Sequence, residues 1–161
     1  MLSFGSQALY NMKITIVAVG KEKDFAGYEL VAEYIRRISH YYPIEVQYLT
    51  GSDEKDEHIK IEKTLLKVGE SAYIVALDET GKKLSSVGLS ELLGKVANQS
   101  VKNLVFIIGG AYGIPENIKQ NANAVLSLSD MTFTHQMVRL IIAEQIYRAC
   151  TIQRGEKYHH S

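Results

Sequence analysis

Five short apolar runs, separated by stretches with helical periodicity, constrain the fold of this chain more than any other feature. Between the runs, apolar residues recur at spacings of three and four, which buries one face of a helix. The predicted strands are 14–19, 44–49, 73–77, 104–108 and 124–128, and the predicted helices are 24–38, 58–68, one from Ser86, a short one after Pro115, and 135–153. Strands that alternate with helices predict an α/β fold, a mostly parallel sheet with helices on both faces.

The length of 161 residues, 46% of them hydrophobic, suits one domain with a sizeable core. Met12 and Lys13 directly precede the first strand, so we expect residues 1–11 to be an N-terminal appendage and 12–161 to form a single domain. The 18 basic and 18 acidic side chains balance, which argues against coating nucleic acid by bulk charge. Residues 135–161 are richer in basic groups, so this end is the better candidate to meet a polyanion.

The single cysteine, Cys150, excludes an internal disulfide and suits a reducing compartment. Its neighbours on the predicted last helix favour a buried thiol over a reactive one. With one cysteine and two adjacent histidines at the end, ligand spacing for a metal is missing, so we expect no metal. No apolar run approaches the roughly 20 residues that span a bilayer, so we expect a cytoplasmic protein with no membrane partner.

The most apolar strand, 104–108, leads into Gly109-Gly110-Ala-Tyr-Gly113. Open α/β sheets bind small ligands at the carboxyl ends of their strands, and glycines let the backbone approach a ligand closely. The spacing is not that of the dinucleotide fingerprint, and no phosphate-cradling Gly-Lys-Ser/Thr is present. The turn therefore predicts either a ligand pocket or only a tight passage from strand to helix.

His135 and Arg139 are four residues apart, so they share one face of the last predicted helix, with Thr134 as its N-cap. One interpretation is an arginine that orients an anionic group beside a histidine that transfers a proton. The other is a helix-terminal histidine with a solvated or salt-bridged arginine.

The chain closes on Tyr158, His159 and His160, an unusual set of aromatic and imidazole groups. A terminus is often disordered. If this tail is ordered, it brings a ring that can stack on a base and a proton acceptor to a site, which fits work on RNA.

Taken in order along the chain, these motifs closely resemble the RlmH family of ribosomal RNA methyltransferases, within the SPOUT superfamily. The match spans residues 12–160, and the ordered set is far more specific than any member. It consists of Ile-Val-Ala-Val-Gly-Lys (16–21), Leu77-Asp78 with Gly81-Lys82, Ile-Ile-Gly-Gly-x-x-Gly (107–113), Leu-Ser-Leu-Ser-x-Met-Thr-Phe (126–133), His135-x-x-x-Arg139, Glu144-Gln-x-Tyr147-Arg148 and Lys157-Tyr-His159. The family usually has proline before the motif histidine, where this chain has Thr134, which as a helix cap is a sound substitute.

The resemblance implies a C-terminal trefoil knot that binds S-adenosylmethionine, and a homodimer with its site near the subunit interface. It implies methylation at N3 of a pseudouridine in 23S ribosomal RNA on the assembled ribosome. Carried over by motif, the cofactor contacts are Leu77, Gly109, Gly110, Gly113, Leu128, Ser129, Asp130, Met131, Thr132 and Phe133. The methyl-transfer end holds His135, Arg139, Tyr158 and His159.

For such a transfer the enzyme must align the methyl group with one nitrogen and remove that nitrogen's proton. Either His135 or His159 could be the base, with Arg139 as the cation that favours the anion. Two rival hypotheses are a non-catalytic dimeric α/β binding domain and a nucleotide-binding oxidoreductase. The second predicts an early glycine fingerprint with a partner acid, and the sequence has neither.

Overall fold

Five parallel strands run through the middle of the computed structural model, which describes residues 11–160. Ser161 and residues 1–10, most of the predicted appendage, lie outside the described residues. The sheet order is β2-β1-β4-β3-β5. The strand bounds are β1 Lys13–Val19, β2 Ile44–Leu49, β3 Tyr73–Lys83, β4 Asn103–Ile108 and β5 Ala124–Ser127.

Side chains of the central strands are buried on both faces of the sheet, which explains their nearly continuous apolar sequences. In β1, Ile14, Ile16 and Ala18 pack into one core, and Val17 and Val19 pack into a second core on the opposite face. This alternation follows from the two-residue repeat of a strand.

The helices cover both faces, as the sequence predicts. Helices α1, α3 and α5 contribute to the core that contains Ile16, and α2 and α4 contribute to the core that contains Val17. Their bounds are α1 Tyr28–Ile38, α2 Glu54–Val68, α3 Ser86–Asn98, α4 Glu116–Asn121 and α5 His135–Gln153. The α/β fold class is therefore confirmed.

Two helix starts differ from the prediction. The segment predicted as helix from residue 24 begins as a 3₁₀ turn, Glu22–Asp24, and α1 starts only at Tyr28, after Gly27. Helix α2 starts at Glu54 rather than 58, because the Asp53 carboxylate accepts a hydrogen bond from the amide of Asp56 at 2.8 Å and caps the helix earlier.

Strand β3 is longer than predicted. The segment 78–82 was predicted as a loop from its Asp, Thr and Gly, but β3 continues through it to Lys83. The pairing of β3 with β5 shifts register between Leu77 and Lys82, both of which lie opposite Leu126. Because the regular pairing is interrupted here, residues that usually form turns can lie within the strand.

The last helix has the predicted bounds. The Thr134 hydroxyl accepts a hydrogen bond from the amide of Met137 at 3.3 Å, so threonine does cap α5. Ser85 caps α3 in the same way, through the amide of Gly88 at 2.9 Å. Cys150 is 1% exposed, which confirms the predicted burial of its side chain, and this burial raises its pKa to about 12.

Within residues 11–160, no helix is both long and apolar enough to cross a membrane. The same residues contain no group of three or more side chains that could hold a metal ion. The trefoil knot implied by the family resemblance stays a prediction.

Candidate active site

A cavity of about 480 Å³ opens at the carboxyl ends of β4 and β5 and beside the middle of β3, at Leu77 to Glu79. Nine of the ten residues predicted to contact a cofactor line it: Leu77, Gly109, Gly110, Gly113, Leu128, Ser129, Met131, Thr132 and Phe133. The tenth, Asp130, is not among the lining residues; its carboxylate receives the Lys83 ammonium at 2.6 Å. The carboxyl edge of this parallel sheet is where such folds bind ligands.

The glycine turn gives the cavity a wall made of backbone. A Cβ atom at Gly109 would lie 2.6 Å from the carbonyl carbon of Gly113, so the two chain segments approach too closely for any side chain there. Gly113 has a φ of +73°, which L-residues rarely adopt, and its amide donates to the Gly110 carbonyl at 3.0 Å. The turn is therefore closed on itself, and all three of its glycines line the cavity.

The loop between β5 and α5 forms a second wall and is held by its own short bonds. The Ser127 hydroxyl donates to the carbonyl of Ser129 at 2.8 Å, and the amide of Met131 donates to the Ser129 hydroxyl at 3.0 Å. The Thr132 hydroxyl donates to the Glu79 carboxylate at 3.1 Å and ties the loop to the extension of β3. Met131 remains 74% exposed at the mouth of the cavity.

His135, the first residue of α5, lines the cavity. Partial burial lowers the pKa of its imidazole, the charge of Arg139 lowers it further, and the Glu57 carboxylate opposes this shift. A pKa lowered below the usual histidine value favours the neutral ring at pH 7. A neutral imidazole beside a ligand cavity can accept a proton.

Arg139 does not line the cavity. It is 3% exposed, and its guanidinium donates to the carbonyls of Val19 and Lys21, each at 2.9 Å, while it lies over the ring of Tyr48 at 5.2 Å. The structure thus contradicts a solvated or salt-bridged arginine. The guanidinium lies at the carboxyl end of β1. Its charge still acts on the cavity, because it lowers the pKa of His135.

The C-terminal tail packs on α1 and α5, so the alternative of a disordered tail is wrong. The Tyr158 hydroxyl donates to the Glu144 carboxylate at 3.1 Å, and its ring meets that of Tyr147 edge-on with centroids 4.8 Å apart. His159 accepts from the Arg148 guanidinium at 3.2 Å, and Arg148 also pairs with Glu144 at 2.5 Å. We call these five residues the tail cluster.

Neither Tyr158 nor His159 lines the cavity of its own chain. The four residues predicted for the methyl-transfer end are therefore not brought together within one chain. His135 lies at the cavity, Arg139 lies at the carboxyl end of β1, and Tyr158 and His159 lie in the tail cluster. The basic C-terminal end is also largely engaged within the molecule, because Arg139 and Arg148 both have internal partners.

Sequence reasoning missed several lining residues, among them Glu79, Ala111, Ile114, Gln136 and Val138. Each is next to or near a predicted one. Glu79 lies within β3, Ala111 and Ile114 follow β4, and Gln136 and Val138 lie in the first turn of α5. The rule that ligands sit beyond the carboxyl ends of parallel strands could have found Glu79 and Ile114. No sequence signal singles out Gln136 and Val138.

Comparison with known proteins gives a consistent result. A family model described as "Predicted SPOUT methyltransferase" matches residues 12–159. Proteins named ribosomal RNA large subunit methyltransferase H are similar over 92% of this chain. That from Trichlorobacter lovleyi is 44% identical over all of its length, that from Desulfotalea psychrophila 43% over 99%, and that from Dictyoglomus thermophilum 41% over all of its length.

The matched region contains every strand, the glycine turn, the loop before α5 and the tail as far as His159. The chain therefore belongs to the SPOUT methyltransferase family.

Proposed function

We propose that this protein methylates the ribosomal RNA of the large subunit with S-adenosylmethionine as donor, at N3 of a pseudouridine. The observation that carries the proposal is the cavity between the glycine turn and the loop before α5, in a chain of this family. Relatives named ribosomal RNA large subunit methyltransferase H match this chain over 99% or more of their own length.

The cavity fits the donor in size and chemistry. A volume of about 480 Å³ is in the range of small-molecule sites. Leu77 and Leu128 offer apolar surface, and the backbone of Gly109 to Gly113 and the Ser129 region offer polar groups that can fix orientation. The bound donor would supply an electrophilic methyl group on a sulfonium.

His135 is proposed as the proton acceptor. When N3 bonds to the methyl carbon, the carbon–sulfur bond of the donor would break and leave a neutral thioether. The imide N3–H must lose its proton in this transfer, and a neutral imidazole at the cavity can take that proton. The charge of buried Arg139 favours the anionic form of the pseudouridine ring. Hydrogen bonds to the carbonyls of Val19 and Lys21 hold the guanidinium in place.

We further propose a homodimer whose site uses the tail of the partner. Tyr158 and His159 do not line the cavity of their own chain, and a second copy related by twofold symmetry can present the same tail to it. Tyr158 would then offer a ring to a base, and His159 and Lys157 would meet RNA phosphates. An assembled ribosome as substrate would place this activity in the cytoplasm.

The test uses ribosomes from cells that lack this protein. Purified protein and labelled S-adenosylmethionine are incubated with 70S ribosomes, isolated large subunits and free 23S RNA, and the digested RNA is mapped by mass spectrometry. We expect a single N3-methylpseudouridine, formed on the 70S ribosomes. Methylation of another base, or label in no RNA at all while the donor binds, would contradict the proposal.

A further inference from the structure

Acids supply the charged side chains that line the cavity. Asp78 and Glu79 belong to its lining, and among the described residues no lysine or arginine does. The other titratable group of this lining is His135, and its lowered pKa favours the neutral ring. The walls of the cavity therefore present negative charge to a ligand.

The charge of Asp78 is largely balanced within the molecule. Its carboxylate lies 3.5 Å from the ammonium of Lys119, and both side chains are mostly buried. The amide of Thr80 also donates to this carboxylate at 3.0 Å. Asp78 is therefore the weaker source of negative charge in the cavity.

Glu79 is the acid whose charge is left for a ligand. It is exposed at the cavity, and the partner that holds its Oε2 is a neutral group, the Thr132 hydroxyl at 3.1 Å. The nearby ammonium of Lys83 is engaged by Asp130 at 2.6 Å. A hydroxyl does not cancel the charge of a carboxylate, so Glu79 makes this wall negative.

The positive charge near the cavity comes from a different part of the sheet. Arg139 is bound at the carboxyl end of β1, and β4 separates β1 from β3, which carries Glu79. The guanidinium therefore acts from the side of His135, and the carboxylate acts from the side of Thr132.

The proposed donor and its product differ by one charge. S-adenosylmethionine carries a positive sulfonium, and loss of the methyl group leaves S-adenosylhomocysteine, a neutral thioether that is otherwise the same molecule. In a cavity of about 480 Å³, the sulfur of a bound donor cannot lie far from the lining side chains. A carboxylate among them stabilises the bound cation more than the bound neutral product.

Resting on the proposed function, we propose that Glu79 raises the affinity of the cavity for the cationic donor relative to the neutral product. The attraction disappears when the methyl group leaves, so the product is held less tightly and can be exchanged for a new donor. Glu79 is thus a specificity-determining residue for the ligand of this cavity, and it takes no part in the proton transfer.

The test measures the Kd of both ligands by calorimetry at pH 7 and low salt, for the wild type and Glu79→Gln. The glutamine keeps an acceptor for Thr132 and removes the charge. We expect the ratio of the product Kd to the donor Kd to fall about fivefold, the order expected for one charge acting through largely aqueous surroundings. This fall should come from weaker donor binding, with the product Kd almost unchanged.

Two further measurements isolate the charge. Sinefungin, in which an amine that is protonated at pH 7 replaces the methylated sulfur, should lose affinity in Glu79→Gln as the donor does. Added salt should reduce the ratio in the wild type more than in the variant, because an exposed charge is screened.

The controls separate the charge from the tie between loop and strand. Thr132→Val removes the hydrogen bond and keeps the carboxylate, so any loss of affinity should be the same for both ligands. Glu79→Asp keeps the charge and should keep most of the ratio. Glu91→Gln removes the same charge from an exposed position on α3 outside the cavity and should behave as the wild type.

Equal weakening of donor and product in Glu79→Gln would mean that the carboxylate binds a group that both ligands share, and would overturn this inference. An unchanged ratio, or the same fall in Glu91→Gln, would also overturn it. Each of these outcomes leaves the proposed function in place. A wild type that binds neither ligand would instead overturn the proposed donor site.

Discussion

The cavity and the tail cluster are built in opposite ways. Backbone shapes the cavity: Gly109 and Gly113 are in contact, and the loop before α5 is held by its own serines. Side chains build the tail cluster, where Glu144 binds both Tyr158 and Arg148 and Tyr147 packs against Tyr158.

The cavity is open and has space for a ligand, whereas the tail cluster satisfies its polar groups internally. Burial, with the neighbouring Tyr34 and Glu144, raises the pKa of Tyr158, so the hydroxyl stays protonated. One chain therefore has an open cavity for the proposed donor, whereas the tail groups proposed to contact RNA are bonded within the chain. The two regions can work together only if the tail serves another copy or is released by the RNA.

The largest expected effect comes from filling the cavity. Ala111 is exposed and lines it, so Ala111→Trp should occupy the donor space and reduce both donor binding and methyl transfer to background. Gly109→Val is a poorer probe, because its Cβ would collide with Gly113 and deform the turn.

The control for Ala111→Trp is Leu66→Trp, at a residue that is 81% exposed on α2. Calorimetry with S-adenosylmethionine should show normal binding in this control. Normal donor binding in Ala111→Trp would mean that the donor occupies another site.

The next effect should come from removing the tail. Deleting 157–161 leaves the Tyr41 hydroxyl bonded to Glu156 at 2.6 Å, so the end of α5 stays anchored. We expect methyl transfer to fall by about 100-fold or more, the range for loss of a positioned acid–base or substrate-binding group, with donor binding unchanged. Undiminished turnover would show that the tail cluster is structural only.

Mixing the two defective chains sharpens this result. A dimer of one Ala111→Trp chain and one shortened chain contains one free cavity and one intact tail, on different subunits. Activity that returns on co-expression would mean that the tail completes the site of its partner. A mixed dimer as inactive as its parents would mean that tail and cavity must belong to the same chain.

A third effect separates the two candidate bases. If His135 is the base, the acid limb of kcat/KM has its midpoint below 6.5, the usual pKa of histidine, because burial and Arg139 lower the pKa. The rate then falls as pH falls through that midpoint, since the neutral imidazole is lost. His135→Asn should lower the rate about 100-fold and abolish the limb.

The comparison variants for this experiment are His159→Asn and His160→Asn. We expect both to keep the acid limb, and His160→Asn, at an exposed position, to keep the rate as well. A limb that persists in His135→Asn and disappears in His159→Asn would assign the base to the tail cluster instead.

Sequence alone could predict what depends on local pattern. The bounds of α5 follow from the Thr134 cap and the periodicity after it, and the buried strands follow from their apolar runs. The segment 78–82 was misassigned because its turn-forming residues continue β3 only through pairing with β5, a contact between distant parts of the chain.

Long-range packing also determines the positions of site residues that the sequence pattern could not place. The spacing of His135 and Arg139 correctly gives one helix face, but the guanidinium reaches the carbonyls at the end of β1, some 120 residues earlier. The position of Glu57 beside the turn at Gly110 likewise has no signal in the sequence, since it depends on how α2 packs.

The smallest expected effect compares one hydroxyl from each region. Tyr158→Phe removes the bond to Glu144 and leaves that carboxylate with one donor fewer, so it should lower the free energy of unfolding by about 1 kcal/mol. Thr132→Val removes the bond to Glu79 on the exposed cavity loop and should change it by less than about 0.5 kcal/mol. Urea unfolding at fixed protein concentration measures both, because a dimer makes the midpoint depend on concentration. Equal losses would mean that the loop before α5 is as tightly bonded as the tail cluster, and the contrast between an open site and a closed one would not hold.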